Sequence, residues 1–228
     1  MTSVASLNRE MYAEAEAARL LRLSQSTLHW WLEGGVRSGR SYRPVLREEA
    51  TGGRQVTWGE FVEAGLLRQY RRVHQVPLHE LRVVIDRLRD ELGVPHPLAH
   101  ARPYIGPGRK LMKKIQDEAG LGADFCLVAI AGGEMILTQP ADEFVERVRW
   151  DDDLVVSWRP HDDPQSPVRM DPAVRFGLPA VEGIRTEIIW EHVEAEEAFD
   201  EIAEQFDIST ASVRWALAYE TSLRSKAA

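Results

Sequence analysis

The stretch Tyr12-Ala-Glu-Ala-Glu-Ala-Ala-Arg-Leu-Leu-Arg-Leu-Ser24-Gln-Ser-Thr-Leu-His-Trp-Trp31 decides how the amino-terminal half is read. Apolar positions at Ala15, Ala18 and Leu21 repeat with helical spacing and leave Arg19 and Arg22 off the apolar face. Ser24 is a good N-cap for a second helix that buries Leu28 and Trp31. The small Ala15 and Ala18 allow close helix approach, and Leu23 is placed to plug the angle of the turn. Together they predict a helix-turn-helix. Gln25, Ser26, His29 and Trp30 fall on or near the outer face of its second helix. Short polar side chains at the start of such a helix are what reading base edges requires, with the helix terminus set against phosphate.

Beyond Gly34-Gly35 the chain continues Arg37-Ser-Gly-Arg40-Ser-Tyr42-Arg43, three arginines and a tyrosine in a glycine-containing loop. That composition suits a wing gripping a phosphate backbone, and equally a solvated loop on a helical hairpin. Val45 to Arg47 and Gln55 to Thr57 are predicted as two strands, followed by a capping box at Thr57-Trp-Gly-Glu60 that opens a helix over Phe61 to Arg71. A further helix over Pro77 to Leu92 should bury Leu78, Leu81, Val84, Ile85 and Leu88, expose Arg82, Arg87 and Arg89, and suit the pairing of two subunits. Arg68, Arg71 and Arg72 extend the basic surface or form a salt-bridged face, and none is assigned a base. Lys110, Lys113 and Lys114 end the basic half on a short helix.

The net charge of −8 conceals a division. Residues 1–114 hold 19 Lys+Arg against 12 Asp+Glu, a net of +7, whereas residues 115–228 hold 9 against 24, a net of −15. The first half is suited to a polyanion; the second suits a basic protein or is only a solvated surface. The lone Cys126 excludes a disulfide framework and lies in an apolar run, as a core thiol would. No apolar run approaches the roughly 20 residues of a membrane-spanning helix. Met1 to Met11 has neither a basic patch nor an apolar stretch of leader length, which predicts a cytoplasmic protein.

In the acidic half, Phe125 to Ile130 and Met135 to Thr138 read as a hairpin about Gly132-Gly133, with a short helix over Pro140 to Val145 and a strand over Leu154 to Trp158. Arg159 to Pro172, with four prolines and several aspartates, reads as a linker or exposed arm. His161-Asp-Asp163 lacks a second cluster, so no metal is expected. Glu196 to Gln205 is predicted helical with Phe199 and Ile202 inward. Ile208 then plugs a turn, Ser209 caps, and Val213, Ala216 and Leu217 face inward on a last helix to about Thr221. The pattern is again helix-turn-helix, but Glu194, Glu196, Glu197, Asp200, Glu201 and Glu204 surround it with a field that repels phosphate, favouring a protein-binding or self-association module. Thr210, Arg214 and Trp215 keep DNA contact open.

The stretch Tyr12 to Trp31 resembles the winged-helix DNA-binding domain of MerR-type regulators. The resemblance implies DNA contacts around Gln25, Ser26, Thr27, His29, Arg40 and Arg43, to which Trp30 and Arg37 are added by position. Asp171-Pro-Ala-Val-Arg-Phe-Gly177, Val181-Glu-Gly-Ile-Arg-Thr-Glu-Ile188 and the ending Val213-Arg-Trp-Ala-Leu-Ala-Tyr-Glu220 resemble the bacterial domain of unknown function 433, although the glycine usual before the penultimate helix is replaced by Glu194-Ala-Glu196. The two together, with the Val56 to Ala64 helix opening between them, resemble VapB-type antitoxins of PIN-domain ribonuclease toxins. That resemblance implies a homodimer that binds operator DNA, represses its own operon and occludes the toxin's acidic, metal-dependent site. Arg159, Arg169 and Arg175 are the physical candidates for toxin binding, because a guanidinium pairs with clustered carboxylates.

The expected fold is mainly α with small β elements: a MerR-like winged helix-turn-helix first, then an α/β segment ending in a second helix-turn-helix. The expected domains are 1–114 for DNA binding with dimerising helices, 115–170 for a small mixed segment with the arm, and 171–228 for the carboxy-terminal domain. A free-standing regulator with an acidic sensing or partner-binding domain is the competing reading. No glycine-rich phosphate loop, nucleophile elbow or His-Glu-x-x-His array is present, so neither enzyme activity nor a cofactor is expected.

Overall fold

The computed structural model describes residues 4–73, 77–104, 106–121, 126, 128–131 and 134–225. The fold is mainly α with small two-stranded β elements, as the sequence predicts. Contacts divide it into two compact units, residues 1–146 with 150–155 and residues 147–149 with 156–228. Among the described residues no helix is long and apolar enough to cross a membrane.

The amino-terminal unit begins with α1 (Val4–Leu7), β1 (Glu10–Ala13), α2 (Glu14–Leu20) and α3 (Gln25–Glu33). The stripe that α2 buries runs through Glu14, Ala17, Ala18 and Leu21, and Ala15 is exposed, contrary to the three-residue spacing expected. The i, i+3, i+4, i+7 set gives the wider helical face, and Glu14 joins it because its carboxylate is satisfied there, as described below. Ser24 caps α3, its Oγ accepting from the Thr27 amide at 3.2 Å, and Leu28 and Trp31 are buried as predicted.

The two strands expected to pair with one another do not do so. Arg37 and Arg40 themselves lie on a hairpin, β2 (Gly35–Arg37) and β3 (Arg40–Tyr42), whose tip residues Ser38 and Gly39 have φ of 52° and 74°. That is the left-handed geometry of a two-residue turn. Val45 to Arg47 forms no strand, because the Val45 and Leu46 amides both donate to the Trp31 carbonyl, at 2.8 and 3.0 Å. β4 (Gln55–Thr57) instead pairs antiparallel with β1, setting buried Val56 opposite buried Tyr12.

The capping box opens α4 (Trp58–Val73): the Glu60 amide donates to Thr57 Oγ1 at 3.2 Å and the Thr57 amide to Glu60 Oε2 at 2.8 Å. Tyr12, Trp58 and Phe61 pack ring on ring at its first turn, with centroids 4.6 and 5.8 Å apart, and Trp58 Nε1 donates to the Val155 carbonyl at 2.8 Å. Next comes α5 (Leu78–Leu92), which buries Leu81, Val84, Ile85 and Leu88. Arg89, expected outside, is buried because its guanidinium has carbonyls to hold: Nη2 donates to Val45 O and Nε to Pro95 O, both at 2.9 Å. The unit continues through α6 (Gly106–Glu118), which carries the three lysines, the hairpin β5 (Val128–Ala131) with β6 (Glu134–Leu137), and α7 (Gln139–Arg147). Phe125, the turn Gly132-Gly133 and the side chain of Arg72 lie outside the described residues.

Strands β7 (Val148–Asp151) and β8 (Leu154–Trp158) form a further hairpin. The carboxy-terminal unit then runs through β9 (Ala180–Val181), β10 (Ile184–Arg185), α8 (Thr186–Glu194), α9 (Phe199–Phe206) and α10 (Thr210–Ser225). Its core joins Val181, Ile189, Ile202, Ala203, Ile208, Val213 and Ala216. Helix α8 was not foreseen. The exposed arm holds for Asp162 to Gln165 and is corrected beyond them: Met170 and Trp158 exchange backbone hydrogen bonds at 2.8 and 2.9 Å, Arg169 and Ala180 do so at 2.9 Å, and Val168 and Met170 are fully buried. Alternating buried positions in this proline-bearing stretch bind it to neighbouring backbone as an irregular edge.

Candidate nucleic-acid interface

The start of α3 is organised by one buried carboxylate. Glu14 is 1% exposed and takes three partners: Gln25 Nε2 donates to Oε1 at 3.1 Å, Arg54 Nη1 to Oε1 at 3.0 Å, and His29 Nδ1 lies 2.9 Å from Oε2. Burial works to raise the Glu14 carboxyl, but the hydrogen bonds from His29 and Gln25 and the charges of His29 and Arg54 together outweigh it and hold it below its ordinary value. Gln25 and His29 are thereby fixed side by side over the first turns of α3. Ser24 Oγ meets Thr27 Oγ1 at 2.7 Å and Ser26 Oγ at 3.1 Å, leaving Gln25 and Ser26 exposed at the helix start.

The hairpin is held close to α3 by Gly34, whose φ is 65° and whose missing Cβ would lie 2.2 Å from the Tyr42 carbonyl oxygen. Trp30 and Tyr42 then pack with ring centroids 5.7 Å apart. Arg37 and Arg40 face one another in register on the two strands and are exposed, as is Arg43, which donates to the Glu48 carbonyl at 3.4 Å.

Beneath these groups lies an open groove of about 660 Å³. It is lined by Ser26, Thr27 and Trp30 of α3, Arg37 and Tyr42 of the hairpin, Arg68 and Arg71 of α4, and His79 and Arg82 of α5. Among the described residues no carboxylate lines it. Arg82 donates through Nε to the Pro44 carbonyl at 3.2 Å; burial and the nearby Arg43 charge hold its guanidinium below the ordinary value in spite of Asp86. Arg37, Arg68, Arg71 and Arg82 lining one groove make a local field that favours an anion. The sequence left Arg68, Arg71 and Arg82 unassigned, since helical spacing says which residues share a face but not which other helix that face meets.

Behind the hairpin, Arg47 is the structural counterpart of this basic surface. It pairs with Glu33 and, at 2.6 Å, with Glu60, and donates to the Gln55 carbonyl at 2.7 Å, with all three ionic side chains at most 9% exposed. Burial lowers the Arg47 guanidinium, and the hydrogen bonds and charges of Glu60 and Glu33 outweigh it and raise it.

The arginines assigned to a toxin lie in the carboxy-terminal unit and differ in access. Arg159 is 6% exposed and donates to the Pro164 carbonyl at 3.1 Å, and half-buried Arg169 donates to the Arg147 carbonyl at 3.2 Å. Arg175 is exposed, its Nε bound to the Gly183 carbonyl at 2.7 Å. Among the described residues no cluster of three or more His, Cys, Asp or Glu is arranged to hold a metal ion.

Residues 168–219 match the family model described as protein of unknown function (DUF433), in the region where the sequence carries that resemblance. An uncharacterized protein of Mycobacterium tuberculosis, Rv2308, is 36% identical over 121 residues, a match spanning 53% of this chain and 51% of that protein. The crystal structure of Rv2018 from Mycobacterium tuberculosis has the same fold, with a TM-score of 0.73 at 22% identity over 92% of this chain and 98% of that one.

Proposed function

We propose that the amino-terminal unit binds duplex DNA and that the whole chain serves as the operator-binding antitoxin of a PIN-domain ribonuclease, acting as a homodimer. The groove beside the start of α3, lined by Arg37, Arg68, Arg71 and Arg82, carries the DNA reading. In this reading α2 and α3 are a helix-turn-helix and β2–β3 is its wing. Gln25, Ser26 and His29 face base edges in the major groove, Arg37, Arg40 and Arg43 grip one stretch of backbone, and Arg68, Arg71 and Arg82 meet another. The toxin half of the proposal is supported by the likeness of the chain's organisation to VapB-type antitoxins. The inward placement of Arg159 and Arg169 favours instead a free-standing regulator, because it leaves Arg175 as the exposed member of the three arginines assigned to a toxin.

Titration of the full chain with the DNA upstream of its own gene, and with random duplex, tests the DNA reading. Affinity should fall steeply with salt, and Arg40→Ala should weaken both duplexes together and lower the salt slope by about 1. Absence of salt-dependent binding to any duplex overturns it. Co-expression with the product of the neighbouring reading frame separates the remaining alternatives: a stable complex supports the antitoxin, and promoter binding without a complex supports the regulator.

A further inference from the structure

The turn between α9 and α10 repeats the turn between α2 and α3 bond for bond, with each residue from Ala18 onward 185 positions later. The Leu23 amide donates to Ala18 O at 2.9 Å, and the Ile208 amide to Ala203 O at 3.0 Å. Arg22 and Asp207, both left-handed, have φ of 52° and 53°. Ser24 Oγ accepts from the Thr27 amide at 3.2 Å, and Ser209 Oγ from the Ser212 amide at 3.1 Å. The first residue of each second helix donates to a carboxylate near the start of the first: Gln25 to Glu14 and Thr210 to Asp200, each at 3.1 Å. In this register Leu28 falls on Val213, Trp30 on Trp215, and the outward pair Ser26 and His29 on Ala211 and Arg214.

The exposed ridge of α10 runs Ala211, Arg214, Ala218, Thr221. From Ala211 to Thr221, short of exposed Arg224 in the last turn, one long side chain therefore stands on a helix face otherwise shaved to short ones, a profile that lets a helix sink into a major groove about 12 Å wide. Although Asp200, Glu201, Glu204 and Asp207 lie on the adjoining helix and turn, Arg214 makes no ion pair or hydrogen bond among the described residues. Its planar fork is left to an outside partner, and the O6 and N7 acceptors of guanine match it two to two.

We infer that α10 is a second duplex-reading helix, in which Arg214 takes a guanine edge. Glu204 and Asp207 stand where the first helix pair has Arg19 and Arg22, so this second reader repels phosphate and has no grip of its own. It selects sequence on DNA that the amino-terminal unit already holds, and in that respect the inference rests on the proposed function.

The test uses the full chain and duplexes it selects from a randomised library. Arg214→Ala should lower affinity for the selected duplex about tenfold while leaving random duplex within about twofold, and Arg214→Lys, which keeps charge but loses the fork, should not restore it. Replacing Glu204 and Asp207 together by Arg should raise affinity for all duplexes. If Arg214→Ala leaves the selected duplex unaffected while Arg40→Ala weakens it, α10 does not read DNA and the first unit alone does. Equal losses on selected and random duplex reduce Arg214 to a phosphate contact and overturn the inference. A wild-type chain that selects nothing removes both this reading and the one it rests on.

Discussion

The helix pairs α2–α3 and α9–α10 have the same turn and the same serine cap, and they bury matching positions, Ala17 and Ile202, Ala18 and Ala203, Leu28 and Val213, and Trp31 and Ala216, yet they are surrounded by charge of opposite sign. Arg19 and Arg22 flank the first turn, and a basic hairpin and groove follow it. Glu204 and Asp207 flank the second, within a half of the chain whose net charge is −15. The turn is fixed by local chemistry: a capping hydroxyl, a left-handed residue and an apolar plug. What the scaffold can approach is fixed by residues that do not affect the turn at all, so charge on it is free to diverge. Two similar folds in one chain therefore teach nothing about shared partners until their surfaces are compared.

The largest expected difference between the two regions lies in how their carboxylates are buried. The first region rests on Arg47, and Arg47→Ala leaves Glu33 and Glu60 facing one another without a cation; a loss of about 3–5 kcal/mol is expected, read as early denaturant unfolding and lost amide protection in α3 and α4. A loss under about 1 kcal/mol shows that the triad is hydrated and gives the first region no special dependence on it. Next comes the plug of each turn. Ile208 is 9% exposed and belongs to the core, whereas Leu23 is only half buried at the groove. Ile208→Ala is expected to cost about 3 kcal/mol and Leu23→Ala about 1 kcal/mol by chemical denaturation; equal costs mean the two turns are seated alike. The smallest effect concerns Glu14. Its folded-state value is depressed, so the stability it supplies is fully present above the ordinary carboxylate value of 4.5 and is lost as the pH falls through the folded value. Glu14→Gln should flatten the acid limb of α3 protection measured by hydrogen exchange, and an unchanged acid limb places the linkage elsewhere. In α9–α10 the counterpart is Glu182, held below its ordinary value by hydrogen bonds from Ser212 and Ser209 at the start of α10.

Much of this was legible in the chain. Ser24 and Ser209 marked both second helices, Thr57 and Glu60 marked the opening of α4, and Leu81, Val84, Ile85 and Leu88 marked the inner face of α5. Each is a local rule acting within one or two helical turns, and Gln25 and Ser26 fell where those rules put them, at the start of α3, whereas Arg37 and Arg40, expected in a loop, lie on paired strands. The misreadings share a cause. Val45 to Arg47 has strand-forming residues, but its amides were taken by the Trp31 carbonyl; Arg89 has a charge, but carbonyls remote in sequence made burial tolerable. Arg159 to Pro172 has the composition of an arm, but Trp158 and Ala180 offered its backbone partners.

The sequence by itself determined the helix starts, the two plugged turns, the predominance of helix and the division of charge, because capping, periodicity and formal charge depend on near neighbours or on composition alone. Only the tertiary structure decided that β4 pairs with β1, that Glu14 draws Gln25, His29 and Arg54 together, and that arginines from α4 and α5 share a groove with Trp30 and Tyr42. The physical reason is that a hydrogen bond or a charge has no preference for partners near in sequence. It is satisfied by whichever group the packing of the apolar faces brings within reach.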